Sequence, residues 1–413
     1  LLQLTVYGFP SIHDLRLFFA PRCTIYIFLN PLASFDFRFP VLSCHLSLVT
    51  RHRFMRILIV KLGSIGDIVH TLPSLAAIRR ALPQAEIAWA VERRSAEILK
   101  DNPLVDRLIE LDTKALRRWR PVSGETLLAT RQQLRRLRAS AFDVALDFQG
   151  LLKSAAIARL SRAARSYGFA RAALREPASR FLLTETVNVP THTNVIRKNL
   201  ALAAGALRIS VPEEGDEFEF PLGVLPEHER EAAEAAALVD ENYAILNVGG
   251  GWPTKLWSAE RYGALADALW TQHNLRSFVT YGPGERELAE SVAGASRANA
   301  ARALSLSLKG FYALARRASL YVGGDTGPTH LAVAAGAPVV GLFGPTEWWR
   351  NGSPRSSDIC VERTDIGCRV DCHRRACSVW VCMDIEVSSV LAAARERLRR
   401  AAETRRVEAL EIA

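Results

Sequence analysis

The stretch "VGGDTGPTHLAVAAGAPVVGLFGP" (Val322–Pro345) decides the fold class. It opens as the end of an apolar strand and passes through Gly323, Gly324, Asp325, Thr326 and Gly327. Pro328 then suits the first turn of a helix, where its fixed φ is helical and its missing N–H would be unpaired anyway. A second β-rich run, "APVVGLF", follows at once. Strand, tight loop, short helix and strand describe parallel strands joined by a crossover helix. A turn that only reversed the chain would need fewer special residues than Asp325, Thr326, Gly327 and His330.

The same rhythm extends in both directions. "RILIVK" (56–61), "EIAWAV" (86–91), "DVALDF" (143–148), "YAILNV" (243–248), "RSFVTY" (276–281), "SLYVGG" (319–324) and "PVVGLF" (338–343) read as strands. Helical spacing runs over 68–82 despite Pro73, over 151–160, and over 258–272 with Ser258 as N-cap. Residues 384–406 read as a terminal helix that turns strongly basic. Around 208–226 an acidic stretch rich in Pro and Gly breaks the alternation and suits a linker. The expectation is an α/β protein with two doubly wound, Rossmann-like domains, 55–220 and 221–413, facing a central cleft. Ligands in such sheets sit beyond the carboxyl ends of the strands.

Residues 1–54 stand apart. They hold 8 of the 17 Phe and 2 of the 7 Cys, with no sustained period and no signal-peptide order. "MRILIVKLGSIGD", from Met55, reads as the natural start of an α/β protein. The preceding segment is expected to be upstream sequence translated in error or a poorly ordered extension. An apolar membrane-surface anchor through "RLFFAPRCTIYIFL" is the competing reading. The formal charge of +10 fits an anionic partner or surface.

Four strand-end loops carry unusual residues: "KLGSIGD" (61–67), "NVGGGWPTK" (247–255), "YGPGERE" (281–287) and "GGDTGPTH" (323–330). Glycines such as Gly250 and Gly251 let backbone N–H groups approach a ligand, and a helix N-terminus suits phosphate. Lys255 would neutralise a diphosphate. Thr326, Thr329 and the amides near Gly327 would complete the cradle, and His330 would donate to a phosphate oxygen. Asp325 would repel phosphate and is expected to accept from a sugar hydroxyl or to orient loop amides. No G-x-x-x-x-G-K-[ST] occurs, and no G-x-G-x-x-G follows "RILIV", which argues against a P-loop NTPase and a dinucleotide dehydrogenase. Asp67 at the first strand end suits proton abstraction instead.

Four segments together, "MRILIVKLGSIGDIVHTLPSLAAIRRALP", "DVALDFQGLLKSAAIARL", "GGGWPTKLWSAERYGALAD" and "GGDTGPTHLAVAAGAPVVGLFGPTEWWRNGSP", resemble the ADP-heptose:lipopolysaccharide heptosyltransferases of glycosyltransferase family 9. The resemblance spans roughly 55–400. "FQGLLKSA" and "REPAS" (175–179) resemble the members that add the first heptose to Kdo on lipid A. It implies the GT-B fold and inverting, metal-independent transfer with no cofactor, ADP-heptose being a substrate. It implies a Kdo-lipid A acceptor met at the cytoplasmic face of the inner membrane, whose anionic surface the enzyme would touch as a peripheral monomer.

Carried over residue by residue, the resemblance makes Asp67 the general base and Lys255 the contact to the donor phosphate. Asp325, Thr326, Gly327 and His330 match the Asp-Thr-Gly-x-x-His donor motif, and Glu285 falls where a glutamate meets the nucleoside ribose. Family members often carry hydroxyl residues before the lysine. Here Gly249, Gly250 and Gly251 stand there, so backbone amides would replace those hydroxyls. Gly66, Gln149 and Lys153 are assigned to the acceptor. Rival readings are another family 9 specificity, a sugar-nucleotide epimerase sharing the two-domain fold, and a non-catalytic glycan-binding protein.

Arginines crowd "ALRRWRP" (115–121), "RQQLRRLRAS" (131–140) and "RAALREPASR" (171–180). An acceptor bearing carboxylates and phosphates on a membrane suits such a face. No aromatic platform or RNA-binding signature accompanies it, so no nucleic-acid partner is expected. Cys368, Cys372, Cys377 and Cys382 have C-x₃-C-x₄-C-x₄-C spacing, unlike the paired C-x₂-C of a usual zinc site. The expectation is reduced thiols packed in a loop, with no metal.

Overall fold

A computed structural model describes residues 54–113, 132, 135, 137–213, 217–239, 242–368, 372 and 374–412. The reading of residues 1–54 falls outside them apart from Phe54, as do the first arginine-rich run and part of the second.

Among the described residues, twelve strands form two six-stranded, all-parallel sheets. The first contains β1 (Arg56–Val60), β2 (Glu86–Glu92), β3 (Arg107–Leu111), β4 (Val144–Asp147), β5 (Arg165–Phe169) and β6 (Glu185–Val187), in the order β3-β2-β1-β4-β5-β6. The second contains β7 (Tyr243–Asn247), β8 (Arg276–Thr280), β9 (Ala301–Leu304), β10 (Leu320–Gly324), β11 (Val339–Phe343) and β12 (Ile359–Glu362), in the order β12-β11-β10-β7-β8-β9. Each sheet therefore has the doubly wound order 3-2-1-4-5-6. The strand order reverses between β1 and β4, and again between β7 and β10. A crevice opens at such a switch point.

The central strands are continuous apolar runs because both faces are covered. Ile57, Leu58, Ile59 and Val60 are all buried, as are Ala244, Ile245 and Leu246. The expected helix over 68–82 is two helices, α1 (Ile65–Val69) and α2 (Leu72–Ala81). Pro73 lies in the first turn of α2, where no backbone donor is needed. Ser258 caps the helix Ala259–His273 by accepting from the Arg261 amide at 3.3 Å.

The acidic stretch after Leu207 forms no helix or strand among its described residues before Pro226. It is nonetheless fastened to the first half. Phe218 and Phe220 pack on Ile196 and Leu200, and Asn102 donates to the Pro221 carbonyl at 2.8 Å.

The terminal helix Val387–Ile412 packs on the second sheet. One buried carboxylate anchors it. Asp358 accepts from the Val339 amide (2.9 Å), Ser353 Oγ (2.5 Å), Arg355 Nε (3.1 Å) and Arg397 Nε (2.8 Å). The Arg397 and Asp358 side chains are 6% and 0% exposed. Removing one member of a buried pair typically costs about 3–5 kcal/mol, and Arg355 retains part of the charge balance. Arg397→Ala should therefore lower stability by an amount near the lower end of that range, read by denaturant unfolding. A change within experimental error would show that the helix is not anchored through Asp358.

Candidate active site

Most of the expected site residues lie in or just beyond the loops after β1, β4, β7 and β10, the strands at the two switch points. Lys255 ends a short turn, Pro253–Lys255, that follows β7. Its Nζ donates to Asp325 Oδ2 at 2.7 Å and to the Asp325 carbonyl at 2.9 Å, and lies 4.4 Å from the Trp252 ring centroid. His330, in the helix Gly327–Ala334, places Nε2 3.3 Å from Asp325 Oδ1. All three side chains are nearly buried. Burial alone would raise the Asp325 carboxyl. The hydrogen bond and charge of His330, then Lys255, outweigh it and hold the group well below the usual carboxylate range.

The other His330 nitrogen, Nδ1, is 3.1 Å from His70 Nε2. His70 closes α1 in the first half of the chain, so this contact joins the two halves. Burial, then the neighbouring His330, holds His70 well below the ordinary histidine value. Gly66 lies beneath the same ring. A Cβ there would come within 2.3 Å of His330 Cδ2, so α1 can seat on the second half only with glycine at this position.

Asp67 is the next residue. Its Oδ2 accepts from the Ser64 amide at 3.0 Å, the back-bond of a capping box. Oδ1 stands 3.7 Å from Lys61 Nζ, which also donates to the Phe148 carbonyl at 2.9 Å. The Asp67 side chain is 40% exposed while Lys61 is buried. A half-exposed, oriented carboxylate thus stands one residue from the His330 contact.

The model of glycosyltransferase family 9 (heptosyltransferase) matches residues 130–379. The chain belongs to glycosyltransferase family 9. Lipopolysaccharide heptosyltransferase 1 of Pseudomonas aeruginosa is 32% identical over 326 residues, covering 78% of this chain and 88% of that protein. The Escherichia coli K12 protein of the same name is 30% identical over 297 residues, covering 71% and 89%. Among solved structures, E. coli heptosyltransferase WaaC with ADP superposes with a TM-score of 0.63 at 26% identity, covering 74% of this chain and 92% of that one. The two-sheet architecture of this family 9 glycosyltransferase is thus that of the GT-B heptosyltransferases.

The remaining expected residues divide by position. Thr326 Oγ1 donates to Asn247 Oδ1 at 3.2 Å. Thr329 is buried, with its hydroxyl bonded to Tyr321 at 2.9 Å and to the Gly324 carbonyl. Thr329 therefore braces the β10 turn from inside. The Asp325 carboxylate, expected to accept from a sugar hydroxyl or to orient loop amides, is engaged by Lys255 and His330. Gly327 lies against Ile65.

Glu285 accepts from the Gly282 amide at 3.0 Å and abuts Gly249, where a Cβ would sit 2.4 Å from Oε1. This accounts for the triple-glycine departure. Gly249 yields to Glu285, Gly250 has the Trp252 carbonyl at 2.9 Å from a Cβ, and Gly251 has φ +63°.

On the first half, Gly66, assigned to the acceptor from sequence, packs against His330. Gln149 Oε1 accepts from the Leu62 amide at 3.1 Å, which ties the β1 and β4 loops together. Lys153 is half exposed and 3.4 Å from buried Glu92.

Three residues escaped the sequence reading. His70 lies one turn beyond Gly66. Lys61 is a lysine terminating an apolar strand. Asp147 ends β4 with its side chain inward. Ser154 Oγ donates to its Oδ2 at 3.0 Å, and the Gln149 and Gly150 amides to Oδ1 at 3.0 and 3.2 Å. The polar residue within "DVALDF" was the available signal.

Burial raises the Asp147 carboxyl from 3.8 to about 6, against those hydrogen bonds. The folded protein therefore keeps this proton to higher pH than the unfolded chain. The contribution is complete below the unfolded value and is lost as pH rises through the folded one. Asn at this position does not titrate. The stability of wild type relative to Asp147→Asn should fall by about 2–3 kcal/mol between about pH 4 and about pH 6.5. Urea unfolding of both proteins across that range measures it, and a constant difference would mean that Asp147 ionises as it does in the unfolded chain.

Proposed function

We propose that this glycosyltransferase moves heptose from ADP-heptose to the Kdo residue of Kdo-lipid A, with inversion, at the cytoplasmic face of the inner membrane. The names of its relatives support a lipopolysaccharide acceptor. The ligands in two WaaC structures, ADP and ADP-2-deoxy-2-fluoro heptose, support the donor. The observation that carries the reading is the junction itself. Asp67 follows Gly66, whose backbone touches His330, and His330 is bonded to the Asp325 that holds Lys255.

In this reading the acceptor hydroxyl attacks the anomeric carbon while Asp67 takes its proton. The bond from that carbon to the diphosphate breaks, and its electron pair leaves with ADP. Lys255 and the amides at the start of the helix Gly327–Ala334 stabilise the departing charge. His330 holds Asp325, and Asp325 holds Lys255. Charge on the first-half arginines would meet the phosphates of the acceptor and the membrane surface.

Incubation with ADP-heptose and Kdo-lipid A, followed by mass spectrometry, tests the donor and acceptor together. A gain of one heptose is expected, and an isomerised donor or no product would overturn the reading. Asp67→Asn preserves an acceptor for the Ser64 amide but cannot act as a base. Single-turnover transfer should slow by at least ~10²-fold with ADP affinity unchanged. Wild-type transfer would leave Asp67 with its capping role alone.

Lys255→Ala should weaken ADP binding by about tenfold or more, since a charge-assisted phosphate contact is worth about 1.5–3 kcal/mol. Calorimetry reads this directly, and unchanged affinity would remove Lys255 from the donor site.

A further inference from the structure

Lys198 is a half-buried cation without an anion. It stands in the helix Val195–Leu207. Its Nζ donates to the Ala173 carbonyl at 2.5 Å and lies 4.4 Å from the centroid of the Phe169 ring, at the carboxyl end of β5. A carbonyl and a ring face orient an ammonium but bring no net charge to it. Among the described residues no carboxylate pairs with Lys198. The charges that act on it have its own sign. Burial, then Arg350, then Lys61 lower its ammonium to about 8.

These cations come from both halves of the chain. Lys61 is buried where β1 ends, and Arg350 is exposed on the short helix Trp348–Asn351 that follows β11. Three contacts fix their meeting. The His192 ring stacks on Trp349 with 3.9 Å between centroids, and Asn194 Nδ2 donates to the Gly352 carbonyl at 3.1 Å. Both hold the start of the Lys198 helix against the helix that bears Arg350. Asn199 Nδ2 donates to the His70 carbonyl at 3.0 Å, which holds the Lys198 helix to the end of α1.

Like charges gathered from three elements repel one another, and an entering anion relieves that repulsion. The base candidate is close by. Lys61 Nζ is 3.7 Å from Asp67 Oδ1, and the same lysine acts on Lys198. One side chain thus links the carboxylate that would take a proton to the cation that lacks a partner. An anion held at Lys198 therefore belongs to the sugar that offers its hydroxyl to Asp67. The donor diphosphate goes instead to Lys255 on the second half.

We propose that Lys198 and Arg350, supported by the charge of Lys61, form an oxyanion subsite that holds the carboxylate of the acceptor sugar while its hydroxyl faces Asp67. This rests on the transfer proposed above and names the group by which its acceptor is gripped. Kdo is a sugar acid, so its carboxylate and its hydroxyls share one sugar. Arg350 offers a planar fork to a carboxylate and Lys198 a point charge. A neutral sugar in the same place would leave the three cations unmatched, so the subsite selects an acidic acceptor.

Lys198→Gln removes the charge and keeps a donor for the Ala173 carbonyl, and Arg350→Gln changes an exposed side chain. In transfer from ADP-heptose to Kdo-lipid A, each should raise the acceptor KM by about tenfold or more, with ADP affinity unchanged by calorimetry. The wild type should lose a similar factor on an acceptor whose Kdo carboxylate is a methyl ester, and each variant should discriminate acid from ester much less. An unchanged acceptor KM in either variant, or the same acid-to-ester ratio in all three proteins, would overturn the subsite. Saturation-transfer NMR with free Kdo and its methyl ester needs no turnover. The ADP-bound wild type should saturate the acid and not the ester, and Lys198→Gln should saturate neither. Equal saturation of the acid by both proteins, or none by the wild type, would also overturn it. Binding of the acid through Lys198 with no heptose transferred would instead sink the transfer reading and leave the carboxylate site standing.

Discussion

The nearly buried carboxylate of Asp325 governs this molecule, because a charge removed from water must be matched on every side. Its partners come from separate elements: Lys255 from the turn after β7 and His330 from the helix after β10. Asn351, in the short helix after β11, approaches the same carboxylate at 3.5 Å. The charge therefore fixes the relative position of the loops at the second switch point. Through the 3.1 Å contact between His330 and His70 it also fixes where α1 of the first half sits. Gly66 follows from this arrangement, since any side chain there would enter the His330 ring. Asp67 stands beside the cluster because it is the next residue in α1.

Several residues whose types suggest ligand contact also brace the loops in which they stand. Thr329, Thr326 and Asn247 form a hydrogen-bonded floor under the β10 turn, with Tyr321 below. Gln149 holds the β1 loop to the β4 loop, and Asp147 organises the latter from within. A strand-to-helix loop built to present a few groups in fixed directions must satisfy its own backbone first. Much of the polar composition of these loops is spent on that.

What sequence made legible follows the same division. The seven strands that read clearly lie inside the two sheets, from "RILIV" to "VVGLF", where burial on both faces makes most of the runs strongly apolar. The outermost strands β3, β6, β9 and β12 did not read as strands. They carry charged residues such as Arg107, Glu110, Glu185, Arg302 and Glu362, and most of their residues are only partly buried. An edge strand needs no apolar face on its solvent side, so its pattern fades. β5 was lost for another reason, since "RSYGF" mixes Arg, Ser and Gly into a strand that neighbours on both sides hold in place. In the candidate site, the residue types at strand ends pointed to loops that the fold brings to the two switch points. The pairing of Lys255 with Asp325, and the reach of His330 to His70 across 260 positions, are tertiary facts with no local pattern.

The Lys255–Asp325 pair bears on how a diphosphate would be held under the proposed function. A lysine that already faces a carboxylate looks spent as a phosphate ligand, but the donor count says otherwise. The ammonium has three N–H groups. Asp325 takes two of them, one at Oδ2 and one at its own carbonyl. The third is left with its direction set by the other two and by the Trp252 ring beneath. A free lysine would lose side-chain entropy on clamping a phosphate, whereas this one is ordered before the ligand arrives. Asp325 thus exchanges part of the attraction between lysine and phosphate for orientation. Orientation is what a leaving diphosphate requires as its charge develops. Thr254 holds the same turn from behind, since its Oγ1 donates to the Arg374 carbonyl and its own carbonyl accepts from Trp380 Nε1. The position of Lys255 is accordingly fixed from two sides, by a buried charge in front and by these two hydrogen bonds at the back.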